Sequence, residues 1–377
     1  MNVLYITLDP LISSSSASER NNSIIKGLIE LNYCVDIVTI GEYLIPNSEK
    51  IRVFSLNRSE TYDKITRHKS VKKIVRKVYY KFSLFDNTIS LVNSKLPSIL
   101  KDYYDHIISS SDPKTSHLLA RKIIKRNNLK FGKWIQYWGD PLTGDISNKT
   151  IWPKQLIKLI ERKIYSKSDN IVFVSPFTLL TQQSYHPKMS NRFHFVPIPY
   201  SYKKYTSMNQ NENKYMRFGY FGSYYSNIRN LIPIYEAFCL IKTLSLKIAG
   251  NTDVVLKTTT NIDILDNQTK SELNRLEDET DVFICVLNKK GTQIPGKLYH
   301  YAGTSKPIIV VIDGDNKEEV KRYIESFNRF IICENTVDEI LAVLSNIRIN
   351  QKYEAVKSLE RKNIAKMIID SKNYDYK

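Results

Sequence analysis

Residues 292–311 read TQIPGKLYHYAGTSKPIIVV, and the order of residue types in this run sets the expectation for the fold. Pro295 and Gly296 punctuate a loop, Lys297 to His300 open a helix, and Pro307 leads into an apolar, β-branched strand. A loop, a short helix and a buried strand in succession make one step of a parallel sheet, whose ligands gather at the carboxyl ends of the strands. At such a place Gly296 lets the backbone come close to a ligand. The unpaired N–H groups of the first helical turn favour an anion, and Lys297 adds a point charge. The combination suits a diphosphate, although the segment by itself also reads as a turn followed by a surface lysine.

Outward from this run the alternation of strand and helix continues in both directions. FGYFGSYYSNIRN, residues 218–230, is a strand running into a loop with Gly219, Gly222 and Ser223 at its end and Arg229 near the next helix. It is not a GxGxxG, but one basic residue on each of two loops of one sheet can converge on a phosphate pair without a metal. RNLIPIYEAFCLI is the following helix, LSLKIAG the next strand with Asn251 beyond it, and Thr269 to Glu272 form a capping box before the strand DVFICVL. Nearer the start, NVLYIT is a first strand and DPLISSSSASERNN a serine-rich loop with a capping box from Ser16 to Glu19. CVDIVTI is a second strand. HIISSS, KWIQYWGDP and NIVFVS are further strands separated by the helices SHLLARKIIKRNN and PKQLIKLIERKIYSKS. The pattern lapses in the polar, proline-containing stretch from 197 to 215, which marks a domain boundary.

At 377 residues the chain exceeds one hydrophobic core, so two domains are expected; 42% hydrophobic and 25% charged residues describe a globular protein. The net charge of +18 invites a polyanion: nucleic acid, an anionic membrane surface or phosphorylated small molecules. Nucleic acid is disfavoured because the aromatics form no stacking platform or known binding motif. Residues 67–85 form a basic amphipathic helix, with Val71, Ile74, Val75, Val78, Phe82 and Phe85 on one stripe and Lys69, Lys72, Lys73, Arg76 and Lys77 on the other side. The stripe is expected to pack inward, and the lysines to attract acidic lipid head groups. The four cysteines are far apart and read as reduced thiols of a cytoplasmic protein, and no stretch approaches the length of a membrane span. His68, His106, His117, His186 and His194 show no ligand spacing, so no metal site is proposed. Asp313-Gly-Asp315 reads as a turn, and VSPFT lacks the glycines of a nucleophile elbow.

The run from 294 to 310 resembles the donor-site segment of family four of the GT-B glycosyltransferases, which often reads Pro-x-Lys-aliphatic-aromatic-Glu-Tyr, then Gly-Lys-Pro and an apolar strand. Residues 109–142, 160–178, 193–201 and 218–238 resemble further segments of that fold in order, so the likeness spans nearly the whole chain. It implies an α/β protein of two Rossmann-like domains facing across a cleft. Residues 1–198 would bind the acceptor and 199–352 the nucleotide-sugar donor, with a C-terminal helix in 353–377 returning to the first domain. It also implies a metal-independent, retaining glycosyltransferase without a cofactor. The acceptor would be a glycan or polyprenyl-linked molecule of bacterial capsule, O-antigen or exopolysaccharide synthesis, and the site of work the cytoplasm, peripheral on the inner face of the membrane.

Residue by residue, the resemblance assigns Lys297 and Arg229 to the donor diphosphate, with Gly222, Ser223, Asn251, Thr292, Pro295, Gly296, Leu298, Tyr299 and His300 on the donor side. Asp140 would orient or deprotonate the acceptor hydroxyl, though an aspartate before proline is also a turn former. Ser13, Ser14, Ser15, Ser16 and Arg20 fall on the acceptor side. The family's two glutamates are replaced by Thr292 and His300, which changes how a donor ribose could be held. Two rivals remain open: a nucleotide-sugar 2-epimerase of the same fold, which needs carboxylates that residues 291–303 lack, and a non-catalytic membrane-associated scaffold.

Overall fold

The computed structural model describes the chain except residues 14, 42–48, 57–77, 80, 95–99, 147–149, 202–215, 315, 348–352 and 377. The chain forms two compact units, one of Met1–Pro197 with Arg361–Tyr374 and one of Ile198–Glu360 with Asp375–Lys377.

In the first unit a seven-stranded sheet is built from β1 (Asn2–Ile6), β2 (Cys34–Ile40), β3 (Ile51–Leu56), β4 (Tyr103–Ser110), β5 (Lys130–Trp138), β6 (Asn170–Phe173) and β7 (Phe193–Phe195). Their order is β3-β2-β1-β4-β5-β6-β7, and every pairing is parallel. The helices α1 (Ser16–Glu30), α2 (Thr115–Arg126), α3 (Lys154–Tyr165) and α4 (Pro176–Tyr185) are the crossovers. Parallel strands are covered on both faces, and accordingly Val3, Leu4, Tyr5 and Ile6 are all fully buried.

In the second unit β8 (Arg217–Phe221), β9 (Ser245–Ala249), β10 (Ile262–Leu265), β11 (Val282–Val286), β12 (Ile308–Ile312) and β13 (Ile331–Glu334) pair in parallel in the order β10-β9-β8-β11-β12-β13. Its helices are α5 (Ile232–Leu240), α6 (Lys270–Glu279), α7 (Gly296–Tyr301), α8 (Lys317–Glu325) and α9 (Val337–Asn346); α10 (Arg361–Asp370) belongs to the first unit. In each sheet the first strand lies between its two halves, β1 between β2 and β4 and β8 between β9 and β11. The loops leaving such a switch point part to opposite faces and open a crevice at the carboxyl edge.

Close packing explains one glycine. A side chain at Gly27 on α1 would collide with the carbonyl oxygen of Arg361, so α10 can lie against α1 only where no Cβ intervenes. The buried Ile364, Ala365 and Ile368 are the apolar side of that contact.

The strands and helices marked by alternation are present, and β3, β7, β10 and β13 are additional. The first helix is capped one residue earlier than the Ser16 pattern indicates. Ser15 accepts the Ser18 N–H at 2.9 Å, because its hydroxyl is fixed from the other side by Asp9 at 3.2 Å. The box at Thr269 and Glu272 forms as expected. Residues 67–77 of the basic helix lie outside the described residues. Of the apolar stripe that can be placed, Val78 and Phe82 are exposed, which overturns inward packing for them, while Phe85 is partly buried against the core under α3. Asp313 is the turn residue expected, holding the Gly314 N–H at 2.8 Å and Asn335 Nδ2 at 2.8 Å.

Candidate functional site

In the second unit the loops after the neighbouring strands β8 and β11 are stitched together. Lys289 N–H donates to Ile228 O at 2.7 Å, Arg229 Nε donates to Asn288 Oδ1 at 2.8 Å, and Asn288 Nδ2 donates to Gln293 O at 3.1 Å. Arg229 also donates to Ser223 O at 3.0 Å through its η1 nitrogen, so its guanidinium spans both loops. Gly250 brings a third strand end to the β8 loop. Its φ is +157°, and a Cβ there would collide with Gly222 O, so only glycine lets the end of β9 approach the β8 loop. Gly219, by contrast, lies within β8, and the space its side chain would take is filled by Phe221 and Thr280.

Lys297 stands at the start of α7, and its ammonium lies 2.5 Å from Glu277 Oε1. Glu277, near the end of α6, is a member of the site that no motif in the sequence singles out. Tyr301 donates to the same oxygen at 3.3 Å, and His300 Nε2 lies 3.7 Å from Oε2. Burial pushes this carboxyl up, but His300 and Lys297 outweigh burial and hold it down to about 2. Lys306, also buried, donates to the carbonyls of Glu277, Asp278 and Thr280 at 2.8, 2.9 and 2.5 Å, which closes the C-terminal end of α6. One carboxylate thus fixes two of the donor-side candidates, Lys297 and His300.

The Cys285 thiol, at the end of β11, relates the two cations: burial pushes it up to about 12, while Arg229 and Lys297 both pull it down. The bonded partners of the two cations differ: Arg229 is held by Ser223 O and Asn288 Oδ1, and Lys297 by Glu277. Leu298 and Tyr299 are fully buried, and the Tyr299 hydroxyl bonds that of Tyr323 at 2.7 Å, so these side chains belong to the core that seats α7. Thr292 N–H donates to Gln293 Oε1 at 3.1 Å, and Asn251 is exposed, its carbonyl accepting Tyr224 N–H at 2.9 Å. Pro295 takes the cap position without a side-chain bond, and α7 runs only six residues, so the helix dipole adds little beside Lys297.

In the first unit the adjacent strands β1, β4 and β5 are each followed by an Asp-Pro pair: Asp9-Pro10, Asp112-Pro113 and Asp140-Pro141. The repeated dipeptide is the signal that would have found Asp9 and Asp112 beside Asp140. Lys114 binds Asp112 at 3.0 Å and Asp145 at 2.8 Å. Burial pushes its ammonium down, but Asp112, Asp145 and Asp140 together raise it above the ordinary value. Asp140 is raised to about 7, first by burial and then by Asp112 and Asp145, with Lys114 and Arg20 opposing. Asp9 is raised to about 6 by burial, with Ser15 and Arg20 opposing and Asp112 adding to the rise.

Arg20 is buried, donates to Ser111 O, and lies 5.5 Å from the Tyr137 ring; its Nε has no hydrogen-bond partner among the described residues. A Cβ at Gly139 would meet Arg20 at 2.5 Å, so the glycine before Asp140 makes room for the guanidinium. The loop after Asp140 is held from below by the fully buried Glu161. Its Oε1 accepts Leu142 N–H at 2.6 Å and Thr143 N–H at 2.9 Å, and its Oε2 meets His186 Nε2 at 3.0 Å. Ser13 and Ser15 bond each other at 3.0 Å, Ser16 is exposed at the start of α1, and Ser14 lies outside the described residues. Among the described residues no group of three or more His, Cys, Asp or Glu is placed to hold a metal ion.

No protein-family model matches this chain, and no curated protein matches it. Solved structures do. The catalytic domain of starch synthase IV from Arabidopsis thaliana, bound to ADP and acarbose, is similar at TM-score 0.58 and 8% identity, over 100% of this chain and 95% of that one. The α,α-trehalose 6-phosphate synthase of Burkholderia multivorans is similar at 0.55 and 10%, over 99% and 95%. HepE of Anabaena, in complex with UDP and glucose, is similar at 0.53 and 9%, over 98% and 95%. The two parallel sheets and these neighbours give the chain the GT-B fold.

Proposed function

We propose that the protein is a glycosyltransferase that moves a sugar from a nucleotide-sugar donor to a glycan or polyprenyl-linked acceptor. The observation that carries this reading is the stitching of the β8 and β11 loops, in which the Arg229 guanidinium bonds both Ser223 O and Asn288 Oδ1 and Lys297 opens the helix that follows. Two fixed cations at neighbouring strand ends suit a diphosphate and would stabilise the charge that grows on it as it departs. Glu277 takes one N–H of the Lys297 ammonium, which leaves two for phosphate oxygens. In the first unit Asp140, raised to about 7, has the affinity for a proton that a base for an acceptor hydroxyl needs near neutral pH.

Transfer is favoured over epimerisation because Glu277, the carboxylate beside the donor-side segment, is held at about 2 and stays ionised. It does not exchange protons near neutrality. The finer reading keeps the family-four likeness, retention at the anomeric carbon, independence of metal and cofactor, and a role in capsule, O-antigen or exopolysaccharide synthesis. It also keeps the cytoplasm as the place of work, at an anionic membrane surface that suits a net charge of +18. No helix among the described residues is long and apolar enough to cross a membrane.

The test is thermal unfolding of the whole chain with uridine, guanosine and adenosine diphosphates. A ligand that binds only the folded state raises Tm, by about 3 kcal/mol of stabilisation at a hundred times its Kd. One of the three should raise Tm in the wild type and fail to do so in Lys297→Ala. If none raises Tm, the donor reading is wrong.

A further inference from the structure

We propose that an apolar patch on the first unit, made by Phe82, Ile151 and Trp152, is the surface with which the protein docks on an anionic lipid bilayer. The inference rests on the membrane-surface part of the function proposed above, and it adds which residues enter the bilayer and which lipid charge they require.

The patch is built, not incidental. Trp152 Nε1 donates to Phe82 O at 2.7 Å, Ile151 N–H donates to Lys81 O at 3.0 Å, and Thr150 Oγ1 donates to the same carbonyl at 3.4 Å. Two segments distant in sequence are thereby clamped side by side with their large side chains outward. Phe82 is 58% exposed, Ile151 56% and Trp152 42%. Val78, which is 52% exposed, lies one helical turn before Phe82, where the Ser83 N–H returns to Tyr79 O at 2.7 Å. On α3, which follows Trp152 in the chain, Leu159 is also 60% exposed.

Contiguous exposed aromatic and aliphatic side chains mark an interaction surface, and the charge around this one chooses the partner. Lys81 is exposed beside Phe82. α3 adds Lys154, Lys158, Arg162 and Lys163, while its one carboxylate, Glu161, is fully buried on His186 and the 142–143 backbone. The helix therefore shows only positive charge to solvent. An indole and a phenyl ring on the unit that also carries this cationic helix match the interface of a bilayer whose head groups are negative: the rings enter the head-group region and the cations meet the phosphates.

The experiment is sedimentation of the full chain with vesicles of phosphatidylcholine alone or mixed with phosphatidylglycerol, at low and high salt. Emission of Trp152 is read alongside, because Trp134 and Trp138 are already buried. The wild type should sediment only with the phosphatidylglycerol vesicles, release in high salt, and shift its emission to the blue. The Phe82→Asp, Trp152→Asp double variant should bind about tenfold or more weakly, and Leu240→Asp, at an exposed leucine of the second unit, should bind like the wild type.

Equal binding by wild type and double variant overturns the proposal, as does equal binding to phosphatidylcholine alone or unshifted emission in the bound protein. A wild type that ignores both vesicles also overturns it, and the patch then belongs to a protein partner. Tm with nucleoside diphosphates, measured on the same samples, separates the two readings. Vesicle binding without a nucleotide shift defeats the donor reading alone, and a nucleotide shift without vesicle binding defeats the docking surface alone.

Discussion

At the carboxyl edge of the first sheet, burial and neighbouring carboxylates lift Asp9 to about 6 and Asp140 to about 7. In the second unit His300 and Lys297 hold the buried Glu277, on the helix that leads into β11, at about 2. The two units share a topology in which the first strand is a switch point, and the fold alone does not say what the edge is for. The difference lies in which charge is in excess. Acids crowd the first edge and so hold protons near neutral pH, as an edge that receives a hydroxyl would require. Cations answer the acid in the second unit, and what remains of their capacity suits phosphate.

The largest effect expected from that contrast is at the cations. Lys297→Ala and Arg229→Ala should each lower the rate of sugar transfer by on the order of 10²–10³-fold, the loss typical of one electrostatic stabiliser of a transition state. Lys297 is partly exposed, so its alanine variant should stay folded by circular dichroism. Variants that turn over at the wild-type rate would remove the diphosphate from this edge. Next comes Asp140→Asn, for which a fall of about 100-fold is expected, with loss of a rate limb that rises through about pH 7 in the wild type.

Stability gives the same substitution a second signature with a definite sign. The folded state raises Asp140 from 3.8 to about 7, so its contribution is complete below 3.8 and is lost as pH rises through about 7. The asparagine of the variant carries no charge to bury. The Tm advantage of Asp140→Asn over the wild type should grow between about pH 4 and about pH 7 and level off above it. A constant difference would mean that Asp140 is not held protonated by its surroundings.

Much of this is legible in the residues, and the part that is not has a common cause. Runs such as VLYI in β1 and VFICV in β11 are apolar throughout because both faces of a parallel sheet are covered, so they announce themselves. Lys297 and Arg229 stand out because glycines and prolines flag their loops. Glu277 and Glu161 do not, since each lies in a helix among other charged residues, and sequence alone does not tell which charged side chain of such a helix turns inward. The serine run allows either Ser15 or Ser16 as the cap of α1, and only the Asp9 carboxylate decides for Ser15. The stripe of residues 67–85 misleads in the opposite direction. Helical periodicity shows that Val78 and Phe82 share a face, but not whether that face meets the core or the outside.

The smallest effect on turnover, and the clearest on the contrast, is expected at Glu277. Glutamine keeps an oxygen for the Lys297 ammonium but removes the charge that aims it, so the donor KM should rise by about tenfold while kcat changes little. For stability the sign is opposite to that of Asp140. The folded state lowers Glu277 from 4.5 to about 2, so its contribution is present above 4.5 and fades as pH falls through 2. Glu277→Gln should therefore lose up to about 3 kcal/mol at pH 7, and its deficit should shrink as the pH falls below 4.5. Measured together, Glu277→Gln should approach the wild type on acidification and Asp140→Asn should draw ahead of it on the way to neutrality. Two profiles sloping in the same sense would show that both sites carry the same kind of charge, and the division of labour between the units would be lost.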